Sequence, residues 1–232
     1  MFGFFWFDWT ILIVLPAMIF AFWAQIKVKS TFDRYSKTAT RSGKTAYAAA
    51  RALLDANGLY DVGIDRVRGH LSDHYDPRKK MLFLSEDVYD SKSAAAIGVA
   101  CHEAGHAIQD AVNYAPLKLR MGMVPACNIG STLSMPLFLI GLLLGSAGEI
   151  LMFAGIACFS LATFFQLVTL PVEFNASRRA LEGMQSHNLL YGEEVGMARK
   201  VLSAAAMTYV AALATSLLSL LRLILIANSR RD

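Results

Sequence analysis

Four long apolar segments constrain this 232-residue chain more than any other feature. Each approaches the roughly 20 residues that an α-helix needs to cross a bilayer. Hydrophobic residues make up 55% of the chain and charged residues only 17%, which argues against a soluble domain. We therefore predict an integral membrane protein, mainly α-helical, with about four transmembrane helices. The predicted spans are residues 4–26, 124–145, 150–171 and 202–226, and the second and third form a hairpin over 124–171.

Charged residues beside these segments predict how the chain crosses the membrane. No Lys or Arg precedes the first span, whereas Lys27, Lys29, Arg34 and Lys37 follow it, the reverse of a cleaved secretory signal. We interpret this span as a retained signal-anchor whose N-terminus lies outside. Residues 27–121 contain fifteen of the 22 Lys and Arg residues. The positive-inside rule therefore places this segment in the cytoplasm.

The predicted hairpin then returns the chain to the cytoplasmic side. The segment 172–201 that follows it is also basic, and the same rule places it in the cytoplasm. Arg230 and Arg231 would then lie outside, against the rule, unless the last segment does not fully cross.

The segment between the first two spans has the patterns of a small globular region. Ser42 is a candidate cap for a helix over residues 46–54, which Asn57-Gly58 would end. Two strand-like runs follow, at 66–72 and 80–84, with a turn at 76–79 between them that suggests a hairpin. Such a hairpin either accepts a substrate backbone at its edge or serves only as a structural ribbon.

The stretch His102-Glu103-Ala104-Gly105-His106 predicts a metal site on a helix. Two His at i and i+4 project from the same face and can hold one ion, and the Glu between them is placed to act as a base. Ser91 or Ser93 can cap the helix start. The helix is otherwise apolar, and a metal would give its buried polar groups partners. The predicted cofactor is a single Zn²⁺ ion.

Glu173 is the predicted third metal ligand. A catalytic zinc takes three protein ligands and leaves a fourth position for water, and the two intervening spans return Glu173 to the side of His102. Pro171 suits the first turn of a new helix, whose positive end favours a carboxylate. The alternatives are a Glu that pairs with Arg178, and a site completed instead by His70 or His74, for which a surface or ribbon role is also open.

The predicted reaction is hydrolysis of a peptide bond. Zinc would lower the pKa of water and polarise the scissile carbonyl, and Glu103 would take the water proton and pass it to the leaving amine. The candidates for stabilising the oxyanion are Tyr209, Arg178 and Arg179. A packing role for Tyr209 is equally open, and His187 resembles a solvated loop residue.

Other residue classes indicate what the chain does not use. The basic residues alternate with acids and form no aromatic-interleaved patch, so nucleic acid is not an expected partner. The three cysteines form no CxxC pair and are interpreted as reduced packing residues, not zinc ligands; they are Cys101, Cys127 and Cys158.

Several separate motifs resemble the YugP-type neutral zinc metallopeptidases. They are His74-Tyr75-Asp76-Pro77-Arg78, Leu84-Ser85, Val88-Tyr89, Gly98 to Gln109, Leu170-Pro171-Val172-Glu173-Phe174 and Ala205 to Val210. The resemblance implies a membrane-embedded metallopeptidase with four spans, distantly akin to HtpX-like proteases that face the cytoplasm. It also implies an Asp two residues after the Glu, where this chain has Asn175. That exchange puts the tuning around the ligands in doubt, not the ligand set.

The prediction is therefore a bacterial plasma-membrane protein with a small zincin-like α+β catalytic region at the membrane surface, its active site facing the cytoplasm. Its partners would be a protein or peptide substrate and the lipid bilayer. The rival functions are an intramembrane metalloprotease and a weakly catalytic, zinc-stabilised scaffold that binds other membrane proteins. The predicted regions are a signal-anchor (4–26), a catalytic region (27–121), a helical hairpin (124–171), a third-ligand helix and loop (172–201) and a last span (202–226).

Overall fold

The computed structural model describes residues 9–229, which form seven α-helices and one three-stranded sheet. The prediction of a mainly α-helical membrane protein with a small α+β region is confirmed. The start of the first predicted span and the Arg230-Arg231 pair lie outside the described residues. The elements are α1 (Ile11–Tyr35), α2 (Ala46–Ala56), β1 (Gly63–Val67), β2 (His74–Asp76), β3 (Met81–Ser85), α3 (Glu86–Tyr89), α4 (Ala94–Ala111), α5 (Ala115–Leu143), α6 (Glu149–Ser186) and α7 (Glu193–Asn228).

The described residues divide into two compact units. The membrane unit comprises residues 9–24, 119–169 and 208–229, and the sheet unit comprises residues 25–118 and 170–207. Helices α1, α5, α6 and α7 each contribute residues to both units. Each is a continuous element of which only a part belongs to the apolar segment predicted from the sequence.

Four helical segments are long and apolar enough to cross a membrane, as predicted: Ile11–Tyr35, Ala115–Leu143, Gly145–Ser186 and Glu193–Asn228. Within the membrane unit, large apolar side chains point outward; Phe22 is 69% exposed and Ile150 83% exposed. A water-soluble surface does not present such a continuous apolar face, whereas lipid covers it without cost.

Glycines bring α5 and α6 together inside the membrane unit. A Cβ added at Gly155 would lie 2.6 Å from the backbone nitrogen of Phe138, and one at Gly148 would lie 2.2 Å from the carbonyl oxygen of Gly141. Small residues allow helix backbones to approach closely where no hydrophobic force drives association. The two helices are joined by a short 3₁₀ turn, Gly145–Gly148, and α5 begins at Ala115, nine residues before the predicted span.

The sheet unit has its own core, in which α2 and α4 pack together and are covered by residues of α3, β3 and the ends of α6 and α7. Thr45, not Ser42, caps α2 by accepting a hydrogen bond from the amide of Ala48 (3.1 Å), and the helix ends at Asn57 before Gly58 as predicted. Ser93 caps α4 through the amide of Ala96 (3.2 Å). A side-chain oxygen at the N-cap satisfies one of the amides that the first helical turn leaves unpaired.

The predicted hairpin is wrong in one strand. The strand order is β1-β3-β2, in which β2 and β3 form the antiparallel hairpin and β1 pairs with β3 in parallel. The run predicted at 66–72 leaves the extended conformation because Gly69 and Leu71 have φ of +113° and +51°. These values lie outside the β region. The short strand β2 is thereby left at one edge of the sheet.

The prediction that Pro171 begins a new helix is also wrong. Pro171 lies inside α6, which continues without a break from Glu149 to Ser186. A proline removes one backbone donor, and membrane helices tolerate this because neighbouring groups re-satisfy the freed backbone. The helix continues because its next turns bury a stripe at i, i+4, i+8 and i+12; Val172, Ala176, Ala180 and Met184 are all fully buried.

Candidate metal centre

Two helices of the sheet unit bring the three predicted ligands together. His102 and His106 lie on one face of α4, and Glu173 faces them from α6. The Oε2 atom of Glu173 is 3.3 Å from Nε2 of His102 and 3.6 Å from Nε2 of His106. One candidate ligand atom from each residue lies within 4.8 Å of the others, and this is the single such cluster of three among residues 9–229.

Gly105 permits the close approach of α4 and α6 at this point. A Cβ at residue 105 would lie 2.6 Å from the carbonyl oxygen of Ala176, well inside contact distance. The fourth position of the HExxH stretch, Gly105, therefore faces α6 directly, and any side chain there would force the backbones apart. The two His lie on α4 and Glu173 lies on α6. The distance between these helices therefore determines whether the three side chains can bind one ion.

The second nitrogen of each imidazole is held from outside the cluster. Nδ1 of His102 is 3.1 Å from Oγ of Ser177, and Nδ1 of His106 is 3.0 Å from Oε1 of Gln109. Both Nε2 atoms consequently face Glu173. Metal-binding His residues are oriented in this way by a partner on the other ring nitrogen. No local sequence pattern predicted Gln109 or Ser177; the recognisable signal was only that both are polar residues at helical spacing from a ligand.

The chemistry of this donor set fits zinc. Two imidazole nitrogens and one carboxylate oxygen are a ligand combination used by catalytic zinc sites, which keep one further position open. The carboxylate of Glu173 is almost fully buried, and a buried charge needs a cationic partner. In the metal-free protein, burial by itself would lower the pKa of His106, but its hydrogen bond to Glu173 and the charges of Glu103 and Glu173 outweigh burial and raise it. A proton and a metal cation therefore compete for the same negative pocket.

Glu103 lies on α4 between the two His and is 9% exposed. Within residues 9–229 no hydrogen bond engages its carboxylate. A second acid lies near it: burial raises the pKa of Asp73, hydrogen bonds from Ser85 oppose this, and the negative charge of Glu103 raises it further. The carboxylate of Asp73 accepts from the Ser85 amide (2.7 Å) and hydroxyl. Glu103 is thus a protein-covered carboxylate that accepts no hydrogen bond from the part of the chain that the structure describes.

The other predicted ligands and stabilisers occupy different positions. Nδ1 of His70 contacts Asp87 (2.6 Å) and Nδ1 of His74 contacts the carbonyl of Ser72 (2.9 Å), so neither belongs to the cluster. Nε of Arg179 donates to Oδ1 of Asn175 (2.8 Å). Arg178 is exposed beside Glu182, and His187 is exposed in the turn after α6. Tyr209 is partly buried in the part of α7 that belongs to the membrane unit.

The cysteines are free and take no part in the cluster. Cys101 is fully buried next to His102 in sequence, and burial raises the pKa of its thiol to about 12. It is therefore protonated at neutral pH, whereas zinc binds the thiolate.

Comparison with known proteins agrees with zinc as the metal. A family model described as "Putative neutral zinc metallopeptidase" matches residues 10–228. The chain belongs to this family of zinc metallopeptidases. It is also 50% identical, over 222 residues, to the "Putative membrane protease YugP" of Bacillus subtilis (strain 168), covering 96% of this chain and 98% of that protein. No solved structure matches the chain. The resemblance drawn from the sequence motifs is confirmed.

Proposed function

We propose that this member of the zinc metallopeptidase family is a membrane-embedded endopeptidase that hydrolyses peptide bonds with one zinc ion. The observation that carries the proposal is the convergence of two imidazole Nε2 atoms on one buried carboxylate, 3.3 and 3.6 Å away. His102, His106 and Glu173 would hold the ion. When bound, zinc acts as a Lewis acid toward the scissile carbonyl and lowers the pKa of water.

Glu103 supplies the proton transfers in this proposal. Its carboxylate takes one proton from the attacking water as the new C–O bond forms, and it returns that proton to the leaving amine as the C–N bond breaks. Glu103 starts and ends as a carboxylate, so atoms and charge balance over the cycle. The residue that stabilises the oxyanion stays a prediction among Tyr209, Arg178 and Arg179. Of these, Arg179 already donates to Asn175.

The sheet edge suits an extended peptide substrate. Strand β2 pairs on one side with β3 and has no strand on its other side within the described residues. It is fixed to α4 by the hydroxyl of Tyr75, which donates to Asp110 (3.0 Å). An extended peptide can add to such an edge through backbone hydrogen bonds, which bind any sequence of suitable shape. We propose that β2 receives the substrate backbone.

We further propose that the site faces the cytoplasm. Residues 27–121 and 172–201 together contain nineteen of the 22 Lys and Arg residues, and the positive-inside rule assigns both to that side. The division of the chain into a catalytic region (27–121) and a third-ligand region (172–201) belongs to the same prediction. Helix α4 is not one of the four candidate spans of the described chain, and most of its side chains are covered by protein.

Zinc analysis and proteolysis of two variants test the proposed reaction. The full chain, purified in detergent, is assayed with unfolded casein. We expect Glu103→Gln to keep one zinc per chain and to lose casein cleavage by at least about 100-fold, since general acid–base catalysis contributes on that order. Glu173→Gln should lose zinc as well as activity, because it replaces a charged ligand by a neutral amide.

The matched control is Glu182→Gln, which makes the same change on the exposed face of α6. It should keep both zinc and activity. Full proteolysis by Glu103→Gln would refute the proposed reaction, and full zinc in Glu173→Gln would refute the third ligand. A zinc-loaded protein without any Glu103-dependent activity would favour the scaffold instead.

A further inference from the structure

Gln109 is a fully buried polar side chain at the edge of the metal centre. It lies three residues after His106 on α4, and its amide reaches three groups at once. Oε1 is 3.0 Å from Nδ1 of His106, while Nε2 donates to the carbonyl of Val172 (2.8 Å) and to Oδ1 of Asn175 (3.0 Å). A buried amide whose groups are all paired makes the groups around it rigid.

These contacts determine which way the Gln109 amide faces. The carbonyl of Val172 can only accept a hydrogen bond, so the NH₂ group must face α6. Oδ1 of Asn175 is an acceptor as well, because it also receives Nε of Arg179 (2.8 Å). The amide oxygen of Gln109 is therefore left to face His106.

The direction of this amide selects one form of His106. An amide oxygen accepts but cannot donate, so Nδ1 of His106 must carry the proton. In the neutral ring the lone pair then lies on Nε2, the atom that faces Glu173. His102 has no such constraint, because the hydroxyl of Ser177 at its Nδ1 can either donate or accept.

The same side chain also fixes the position of Glu173. Val172 and Asn175 flank Glu173 on α6, and both receive their hydrogen bond from the Gln109 NH₂ group. One amide thus connects the α4 ligand His106 to the α6 turn that carries the third ligand.

We propose that Gln109 is the positioning residue of the metal centre, holding His106 as the tautomer with its Nε2 lone pair free while locking the Glu173 turn of α6 against α4. The inference rests on the proposed zinc site. It adds a residue that touches neither metal nor substrate and acts only through His106 and Glu173.

Two substitutions of Gln109 separate its contact with His106 from its two contacts with α6. Gln109→Met keeps the length of the side chain and removes all three hydrogen bonds. Gln109→Glu keeps an oxygen for Nδ1 of His106 but has no NH₂ group for Val172 and Asn175. Zinc affinity is measured by competition with a chelator, and cobalt substitution reports the geometry of the site by absorption. We expect Gln109→Met to lose about 10–100-fold in zinc affinity, the size of effect seen for groups that orient ligands, with an altered cobalt spectrum and an intermediate loss for Gln109→Glu.

A structural control separates positioning from general loss of stability. Glu194 is also buried, and within residues 9–229 its carboxylate accepts hydrogen bonds from the backbone amides of Arg41 and Tyr191 and none from the cluster. Glu194→Ala should lower the thermal midpoint and leave zinc affinity within about three-fold. If Gln109→Met does not fold, Asn175→Ala, which removes only one acceptor of the Gln109 NH₂ group, is expected to show a smaller loss of affinity and the same change of cobalt spectrum.

The results distinguish this inference from the proposed function. Wild-type affinity and an unchanged cobalt spectrum in Gln109→Met, or in Asn175→Ala where that variant replaces it, would overturn the positioning role while the zinc peptidase stands. An equal loss in Glu194→Ala would overturn it too. A wild-type chain that binds no zinc, or a fully active Glu103→Gln, would overturn the proposed function. The absence of zinc binding would also overturn the positioning role of Gln109.

Discussion

At the scale of single residues, the side chains that hold His106 from the Nδ1 side, Gln109 and behind it Asn175, are neutral. The residue that the family resemblance expects to be Asp is Asn175, and its Oδ1 accepts from both Gln109 and Arg179. A carboxylate at this position would form an ion pair with Arg179 and bring a second negative charge close to Glu173. With Asn175 the network keeps its hydrogen bonds without that charge, so Glu173 is the single carboxylate among the three proposed ligands.

The buried carboxyl group of Asp73 should make the stability of the protein depend on pH. Its pKa is raised by burial and by Glu103, so between the ordinary and the raised pKa the folded protein holds a proton that the unfolded chain has lost. Stability then falls as pH rises through this interval and levels off above it. Asp73→Asn retains an acceptor for the Ser85 amide and has no charge to bury.

We therefore expect the thermal midpoint of Asp73→Asn minus that of the wild type to grow as pH rises through this interval and then to stay constant. Thermal denaturation followed by circular dichroism between about pH 3 and pH 8 measures the difference. A difference that shrinks with rising pH would contradict the assignment of Asp73 as a buried acid.

Sequence reasoning reaches some of these residues and not others for a physical reason. His102, Glu103 and His106 form a local pattern, since residues four apart share one helical face. Glu173 required only a count of the spans between it and His102. Gln109 is different, because its partners on α6 become visible only when the packing of two distant helices is known.

At the scale of elements, the contact between α4 and α6 leaves no room for a side chain at Gly105. Gly105 and Ala176 meet backbone to backbone at this contact. We expect Gly105→Ala to destabilise the protein by about 1–3 kcal/mol, as overpacking of a close contact does, and to weaken zinc binding because the ligands are moved apart. Thermal denaturation and chelator competition on the same preparation check both effects.

Gly196 on α7 is the matched control for this substitution. A Cβ there meets nothing within 4 Å. Gly196→Ala should therefore stabilise its helix by up to about 1 kcal/mol and leave zinc affinity unchanged. Equal behaviour of the two variants would show that helix propensity, and not the approach of α4 to α6, decides the outcome.

The elements differ in how well the sequence predicts them. Helix α4 follows from an apolar run and the cap at Ser93, which are both local. The sequence misplaces strand β1 because this strand pairs in parallel with β3, which is a non-local contact. In addition, Leu71 has a left-handed φ, which a leucine in the sequence does not predict. The predicted helix start at Pro171 relied on one residue. The buried stripe from Val172 to Met184 instead favours a helix that continues through Pro171.

At the scale of the whole molecule, the proposed orientation makes a direct prediction. Ser146 is exposed in the turn between α5 and α6, and Lys79 is exposed in the turn between β2 and β3. In intact cells, a membrane-impermeant maleimide should label Ser146→Cys and should label Lys79→Cys only after lysis. The unchanged chain is the background control, since two of its three cysteines are buried and the third is half-buried. The reverse labelling pattern would place the metal centre outside the cell.

Glu173 follows His102 by 71 residues in the chain. All of α5 and most of α6 are therefore translated between the two residues. A ribosome that has completed α4 has therefore made His102 and His106, two of the three proposed ligands, and the proposed base Glu103, but not Glu173. The nascent enzyme has no complete hydrolytic centre until its hairpin has been synthesised. If Glu173 is the third ligand, as proposed, the order of the chain thus delays activity until most of α6 has been synthesised.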